Sequence, residues 1–287
     1  MVLSVVFACS GSLHAEAIIY EGFDYDTGGI DGENGGTGFS GAWDATRNNP
    51  AVTSPNFTWG SLPTSGNHIK GNAWSAMIRP IGATLSSAGL MDNGETLWFS
   101  AVMDLQGQNL TNADLNFGLG SDQFEGGVFG DRKNLVGGEG IGVGHIGGGV
   151  KGVYWQNTDA DAIAEINTAN TSRTLNSTDD SRALIVGKID WGATNTDDEL
   201  LTLYAPGSDL ELGTAILDEW ATPALNQASF DSMIVQFKDS SQLDEIRFGA
   251  TSDDVLGIVA PVPEPSTFAL AALGLLGLGW FGCRRRN

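Results

Sequence analysis

The sequence predicts an all-β protein built as an antiparallel β-sandwich. Apolar and polar residues alternate with the period of two that is typical of strands, and long amphipathic helical patterns are absent. Glycine accounts for 40 of 287 residues, about twice the usual share of roughly 7%, which favours tight turns and close strand contacts. The body between the two termini, residues 18–256, is long enough to bury one large core.

The expected strands follow one another along this body. Residues 96–105 form a mostly buried strand, and residues 182–191 and 200–205 form a hairpin around a polar turn. A second hairpin is expected from residues 230–237 and 243–249. The remaining elements are short strands at 115–119, 141–146 and 150–155, and short helices at 159–169 and 214–221.

Charge and cysteine content exclude several classes of function. Asp and Glu number 35 against 14 Lys and Arg, so the formal net charge is −21. Such a field repels phosphate backbones and excludes nucleic acid as a partner. The two cysteines, Cys9 and Cys283, lie in the terminal segments. The body therefore holds no disulfide, thiolate nucleophile or cysteine-based zinc site.

The first 17 residues have the pattern of a secretory signal peptide. An apolar run at residues 2–9 is followed by the A-x-A sequence of Ala15, Glu16 and Ala17. Cleavage is expected after Ala17, with Ala15 as the alternative. Since no Lys or Arg precedes the apolar run, either the signal peptide is truncated by the assigned start codon or it is atypical.

The C-terminal end contains three consecutive features. A linker at residues 257–265 ends in Pro263, Glu264 and Pro265, and an uncharged apolar stretch follows. Its core, residues 267–282, predicts a short transmembrane helix, within a tail that spans residues 266–287. The chain then closes with a basic cluster that would stay on the cytoplasmic side: Arg284, Arg285 and Arg286. An ordinary membrane anchor is one explanation for this pattern.

The order of these features resembles the PEP-CTERM sorting signal of Gram-negative bacteria. The resemblance implies recognition by an exosortase-type membrane protease, which cuts near the Pro-Glu-Pro box. It also implies an inner-membrane intermediate, followed by delivery to the cell surface or to an extracellular polymer matrix.

The body resembles the concanavalin-like, or laminin-G-like, jelly-roll domains. The resemblance rests on an opening block at residues 19–25 (IYEGFDY) and 35–43 (GGTGFSGAW), and on a closing strand at residues 243–249 (LDEIRFG). It implies a jelly roll over residues 18–256. Relatives of this fold often carry calcium on loop carboxylates.

Three pairs of adjacent aspartates in predicted turns are the candidates for such a calcium site. They are Asp179 and Asp180, Asp197 and Asp198, and Asp253 and Asp254. Clustered carboxylate oxygens are the ligands that Ca²⁺ prefers. The alternative is that these residues form solvated turns with local hydrogen bonds. No other cofactor is expected.

Aromatic residues near predicted loops and strand ends are the candidates for ligand binding. They are Trp43, Trp59, Trp74, Tyr154 and Trp155. Exposed rings could stack on sugar faces, although large rings also fill the core of a sandwich. By contrast, Trp98 and Trp191 lie within apolar strands and are expected in the core.

No catalytic constellation is recognisable. Some enzymes with a concanavalin-like fold carry an E-x-D-x-x-E strand, and this spacing is absent. Asp244 and Glu245 are adjacent and expected to face opposite sides of a strand, with Glu245 and Arg247 paired on one side. The sequence therefore predicts an exported, non-catalytic structural or adhesive protein, with carbohydrate as its candidate ligand. The alternatives are a secreted glycan-active enzyme on the same fold, or a display module that binds another protein.

Overall fold

Two antiparallel β-sheets pack face to face as a sandwich in the computed structural model. The structure describes residues 16–104, 114–121, 139–146, 150–157, 160–166, 182–238 and 240–258. For residues 114, 145–146, 150–157, 160–166 and 238 it describes the backbone alone. The prediction of an antiparallel all-β sandwich is confirmed. The bounds predicted for the signal peptide, the linker and the C-terminal helix fall largely on residues outside this description and stay predictions.

One sheet has nine strands among the described residues. They are β1 (Ile19–Glu21), β2 (Gly28–Gly29), β4 (Ala51–Thr53), β5 (His68–Lys70), β7 (Thr96–Asp104), β12 (Arg182–Asp190), β13 (Glu199–Tyr204), β14 (Leu217–Thr222) and β16 (Gln242–Gly249). Their spatial order is β14-β13-β12-β7-β16-β5-β4-β2, and β1 also pairs with β16.

The other sheet has seven strands in the described part of the chain. They are β3 (Asp44–Arg47), β6 (Ser75–Pro80), β8 (Asp114–Gly120), β9 (Gly140–Ile146), β10 (Val150–Asn157), β11 (Ala160–Ile166) and β15 (Ser232–Lys238). Their order is β11-β10-β9-β8-β15-β6-β3. Two short helices within the described residues, α1 (Thr84–Ser87) and α2 (Ser252–Leu256), lie outside the sheets, as does a 3-10 turn at Gln227–Ser229.

The hairpin predicted from residues 182–205 is confirmed, because β12 pairs with β13. The second predicted hairpin is wrong, because β15 and β16 lie in different sheets. β15 is inserted between β6 and β8, and β16 between β5 and β7. Each is therefore a central strand with neighbours on both sides, and accordingly every residue of β16 and most of β15 are buried.

The two helices predicted at residues 159–169 and 214–221 are also wrong. The first segment contains β11, which is paired with β10 along its whole length. The second contains most of β14, which pairs with β13 and packs Leu217 and Trp220 against the core. In both cases pairing with a neighbouring strand outweighs local helix propensity.

The core lies between the sheets and is rich in phenylalanine. The ring of Phe117 lies 5.6 Å from that of Phe99 and 6.5 Å from that of Phe248, both in edge-to-face geometry. Gly187 makes room for this packing, since a Cβ atom there would lie 2.2 Å from the ring of Phe99. Trp191 is 3% exposed, which confirms its prediction as a core residue.

A buried ion pair crosses the core between Glu21 of β1 and Arg79 of β6, both of which are 0% exposed. Besides the Arg79 guanidinium, Glu21 accepts hydrogen bonds from the Phe23 backbone N–H at 2.8 Å, the Tyr25 hydroxyl at 2.8 Å and the Trp43 indole N–H at 2.9 Å. Burial raises the pKa of Tyr25 to about 12, so its hydroxyl keeps the proton that it donates.

The same arginine holds the loop that follows β2. Its Nη2 atom donates to the Gly35 carbonyl at 2.5 Å and to Asn34 Oδ1 at 3.2 Å, and its Nε atom donates to the Gly41 carbonyl at 3.1 Å. The guanidinium carbon also lies 3.7 Å from the centroid of the Phe39 ring. One cation therefore connects the two sheets and anchors residues 34–41.

Replacing Glu21 with Gln is expected to lower the free energy of unfolding by about 3–5 kcal/mol, because the Arg79 charge is left buried without its partner. Urea denaturation measures the loss. Glu95→Gln, which makes the same change at an exposed position, should stay within about 0.5 kcal/mol of the unsubstituted protein. A loss below about 1 kcal/mol in Glu21→Gln would contradict the role assigned to the pair.

Candidate functional site

The outer face of the nine-stranded sheet carries a second hydrophobic cluster, here called the outer cluster. Its members come from β7 and β12 and from three segments that pack over them: residues 54–66, residues 205–213 and α2. They are Phe57, Leu62, Val102, Leu184, Val186, Leu210, Val255 and Leu256. These segments cover one part of the sheet surface, and in the neighbouring part Trp98, Lys188 and Tyr204 are partly exposed.

Two aromatic rings lie at the border of the outer cluster. Trp98 of β7 and Tyr204 of β13 are half-buried, their ring planes differ by 17° and their centroids lie 6.2 Å apart. Lys188 pairs with Trp98 across the strands, on the β12 strand that runs between the two aromatic residues. Both rings are therefore partly exposed on this face of the sheet, beside polar groups.

Those polar groups are a short chain of hydrogen bonds. Lys188 Nζ donates to Asp190 Oδ2 at 2.6 Å, and Thr96 Oγ1 donates to Asp190 Oδ1 at 2.6 Å. The hydrogen bond with Asp190 raises the pKa of Lys188, which keeps the amine protonated. We call Trp98, Tyr204, Lys188, Asp190 and Thr96 the aromatic face.

The structure distributes the predicted ligand aromatics over different parts of the fold. Trp43 is 2% exposed and donates its indole N–H to Glu21, so it fills the core, the alternative given for these rings, and is not available to a ligand. Trp59 is half-buried against the outer cluster and donates to the Gly207 carbonyl at 3.2 Å. Trp74 is half-buried beside β6.

Tyr154 and Trp155 lie on β10, where their side chains are outside the described residues. Trp98 was expected in the core, and this expectation is wrong. Its neighbours Leu97 and Phe99 point inward to the core, so Trp98 points outward, as alternation along a strand requires. Alternation along the strand was the sequence signal for the outward orientation of Trp98. It does not indicate which face of a strand another segment covers.

The aspartate pairs within the described residues serve local structure. Asp197 Oδ2 accepts hydrogen bonds from the backbone N–H and the hydroxyl of Thr194, both at 2.9 Å. Asp254 belongs to the capping box of α2 and accepts from the Thr251 N–H at 2.8 Å. Asp198 and Asp253 are exposed, and Asp179 and Asp180 lie outside the described residues.

Among the residues that the structure describes, no three His, Cys, Asp or Glu side chains lie together as a metal site would require. Asp197 and Asp254 already accept two or more hydrogen bonds from neighbouring turn or helix-cap residues. Calcium binding at the three aspartate pairs stays a prediction.

Asp244 and Glu245 were expected to face opposite sides of β16, and this is wrong. The register with β7 shifts between Asp244 and Arg247, and Glu245 has a φ of 55°. Because this bulge interrupts the alternation, both carboxylates bind the same covering segment: Asp244 accepts from the Phe57 N–H and Glu245 from the Ser65 N–H, each at 2.8 Å. The predicted ion pair of Glu245 with Arg247 is confirmed at 2.5 Å.

Asp244 is 0% exposed, and this burial, with a smaller effect from the neighbouring Glu245 charge, raises its pKa to about 9. The carboxyl group is therefore protonated at neutral pH. His68 lies near the same covering segment, stacked on Phe57 with ring centroids 4.5 Å apart, and burial lowers its pKa. The side chains of Asp244, Glu245 and His68 are all buried beneath residues 54–66 rather than open to solvent.

Replacing Asp244 with Asn is expected to remove a pH dependence of stability. The folded protein keeps this proton up to about pH 9, whereas an aspartate in an unfolded chain releases it near pH ~3.9. Because the folded state binds the extra proton within this window, the free energy of unfolding falls as pH rises, by up to about 1.4 kcal/mol per pH unit from this residue.

Urea titrations at several pH values between about 5 and 8 measure this effect. The stability of the unsubstituted protein should fall with pH relative to that of Asp244→Asn. Asp198→Asn, at an exposed turn position, is the matched control and should follow the unsubstituted protein. Parallel curves for Asp244→Asn and the unsubstituted protein would show that Asp244 is already ionised in the fold.

The C-terminal region matches a known sorting signal. Residues 261–286 match the model of the PEP-CTERM protein-sorting motif. The chain carries a PEP-CTERM sorting motif. This motif marks an exported protein that is sorted to the cell surface through a membrane-anchored step, and it implies processing by an exosortase, a membrane protease.

The individual sorting residues are only partly within the described chain. Ala17 is described and is 8% exposed. The others lie outside the described residues: Pro263, Glu264, Pro265, Arg284, Arg285 and Arg286. The predicted C-terminal transmembrane helix also falls there. Within the described residues, no helix has the length and apolar character needed to span a membrane.

Solved structures show distant likenesses. A protein of unknown function from Shewanella oneidensis is 14% identical, with a TM-score of 0.45 over 80% of this chain and 84% of that chain. A carbohydrate esterase from the Shiga toxin-encoding bacteriophage phi24B is 13% identical, with a TM-score of 0.41 over 81% and 97% of the two chains.

The binding domain of botulinum neurotoxin DC, in complex with rat synaptotagmin II, is 10% identical. Its TM-score is 0.45 over 84% of this chain and 50% of that chain. Likenesses at this level carry no argument about ligand or activity. A search of curated proteins finds no match to the chain.

Proposed function

We propose that the protein is a non-catalytic glycan-binding component of the cell surface or extracellular polymer matrix of a Gram-negative bacterium. The sorting motif supports the location. The observation that supports glycan binding is the pair of half-buried, nearly parallel rings of Trp98 and Tyr204 beside the Lys188–Asp190 pair. The resemblance of residues 19–25 and 243–249 to concanavalin-like domains further leads us to propose a jelly roll.

The aromatic face offers both kinds of contact that a sugar needs. The C–H face of a pyranose ring is apolar and packs on an aromatic ring, whereas its hydroxyl groups need donors and acceptors. Lys188 supplies an ammonium donor and Asp190 a carboxylate acceptor, and their side chains are 24% and 30% exposed. Hydrogen bonds to such charged groups are roughly twice as strong as neutral ones.

The buried carboxylates support a non-catalytic role. A general acid or nucleophile must reach the bond that it acts on. Asp244 and Glu245 are 0% exposed, and each accepts a hydrogen bond from the backbone of the covering segment. A raised carboxyl pKa at such a position follows from its burial and gives no reason to assign glycosidase chemistry.

Replacing Trp98 with Ala is expected to weaken glycan binding about tenfold, because the loss of one stacking ring costs roughly 1–2 kcal/mol. A glycan array probed with the full-length protein in detergent identifies a ligand, and titration of that ligand measures the change. The array is run with calcium and with chelator, so that a calcium-dependent site is recognised separately.

Trp220→Ala is the matched control, because Trp220 is also half-buried but packs against the core between the sheets and is not part of the aromatic face. It should bind as the unsubstituted protein does. Equal affinity in Trp98→Ala, with the fold intact by circular dichroism, would argue against the aromatic face. An array without any binding would favour the alternative of a structural or protein-binding role.

A further inference from the structure

We infer that the aromatic face selects uncharged glycans and rejects glycans that carry carboxylate or sulfate groups. This inference rests on the proposed function, because it assigns the ligand class of the same site. It is drawn from the charges on and around the aromatic face, each of which belongs to a described residue.

The cation of the aromatic face is already neutralised. Lys188 Nζ lies 2.6 Å from Asp190 Oδ2. The other oxygen of Asp190, Oδ1, accepts a hydrogen bond from Thr96 Oγ1 at 2.6 Å, which fixes the position of the carboxylate. The remaining Nζ hydrogens of Lys188 could still bond to a glycan, but a glycan carboxylate bound there would lie beside the Asp190 carboxylate. Two like charges would then share one cation, and their repulsion opposes the binding of an anionic sugar.

The surroundings of the aromatic face add further negative charge. Glu219 is exposed on β14 and its backbone N–H donates to Thr202 Oγ1, the residue that pairs with Lys188 across the strands. The loop at residues 205–213 carries two exposed acids, Asp209 and Glu211. The Gly207 carbonyl of this loop accepts the hydrogen bond from the Trp59 indole N–H.

Positive charge is scarce in the same region. Besides Lys188, β12, β13, β14 and the loop at residues 205–213 hold one cation, Arg182, which lies at the far end of β12 and is paired with Asp104 at 3.2 Å. The net charge of −21 for the whole chain adds to this local field. Repulsion of the wrong ligand is an effective source of specificity.

The rings and the hydroxyl-binding groups remain available to a neutral sugar. Stacking on Trp98 and Tyr204 needs no charge on the ligand, and neutral hydroxyl groups can bond to Lys188 and Asp190 without separating them. An uncharged polysaccharide can therefore contact the rings and the polar groups together. A polyuronate can contact the same rings, but the surrounding carboxylates repel it.

The test compares two oligosaccharides of equal length, a β-1,4-linked glucose hexamer and a hexuronate, titrated into the full-length protein in detergent. At low salt, about 20 mM, the glucose hexamer should bind at least about tenfold more tightly. Raising the salt to about 500 mM should narrow this ratio, because screening weakens repulsion between exposed charges.

Asp190→Asn tests whether the ion pair is responsible. It frees Lys188 and should shift the affinity ratio toward the hexuronate. Asp44→Asn makes the same change in net charge at an exposed position on β3 of the other sheet and should leave the ratio unchanged. Equal shifts in the two variants would overturn the role of the Lys188–Asp190 pair.

The remaining outcomes separate this inference from the proposed function. Binding of the hexuronate as tightly as the glucose hexamer, with both lost in Trp98→Ala, would leave glycan binding standing and overturn the selectivity. If neither oligosaccharide and no glycan on the array binds, the proposed function is overturned, and the inferred selectivity is overturned with it.

Discussion

The buried pair of Glu21 and Arg79 is the constraint on which the arrangement of the sandwich depends. A carboxylate and a guanidinium inside a hydrophobic core are stable only when their hydrogen-bonding groups are satisfied. Glu21 takes donors from its own segment, from the loop after β2 and from β6. These requirements fix β1 in one sheet against β6 in the other, and they place the ring of Trp43 in the core.

The sequence allowed the positions of most strands along the chain to be predicted better than their partners. Period-two alternation marks strands, and a hairpin such as β12–β13 follows from a short polar turn. The placement of β15 and β16 in opposite sheets could not be predicted in this way. Both are buried on both faces, and local pattern does not specify which distant strands such segments join.

The candidate site was predictable in kind but not in position. Aromatic residues were expected to supply the ligand contacts, yet Trp43 is buried and Trp98, expected in the core, borders the accessible face. Exposure of an outward-pointing ring depends on which covering segments reach it. Residues 54–66 are held over the sheet by Asp244 and Glu245, and the bulge that aims both carboxylates at them has no sequence signal.

The central positions of β15 and β16 determine the order in which the chain can fold. They are the last two described strands of the chain, yet each sheet needs one of them between its two halves, and β1 at the N-terminal end pairs with β16 alone. Until residues 232–249 have joined the sheets, one edge each of β5, β6, β7 and β8 has unpaired backbone N–H and C=O groups. Long-range pairing of this kind is slow to form. An exported chain must therefore cross the membrane nearly complete before either sheet can close.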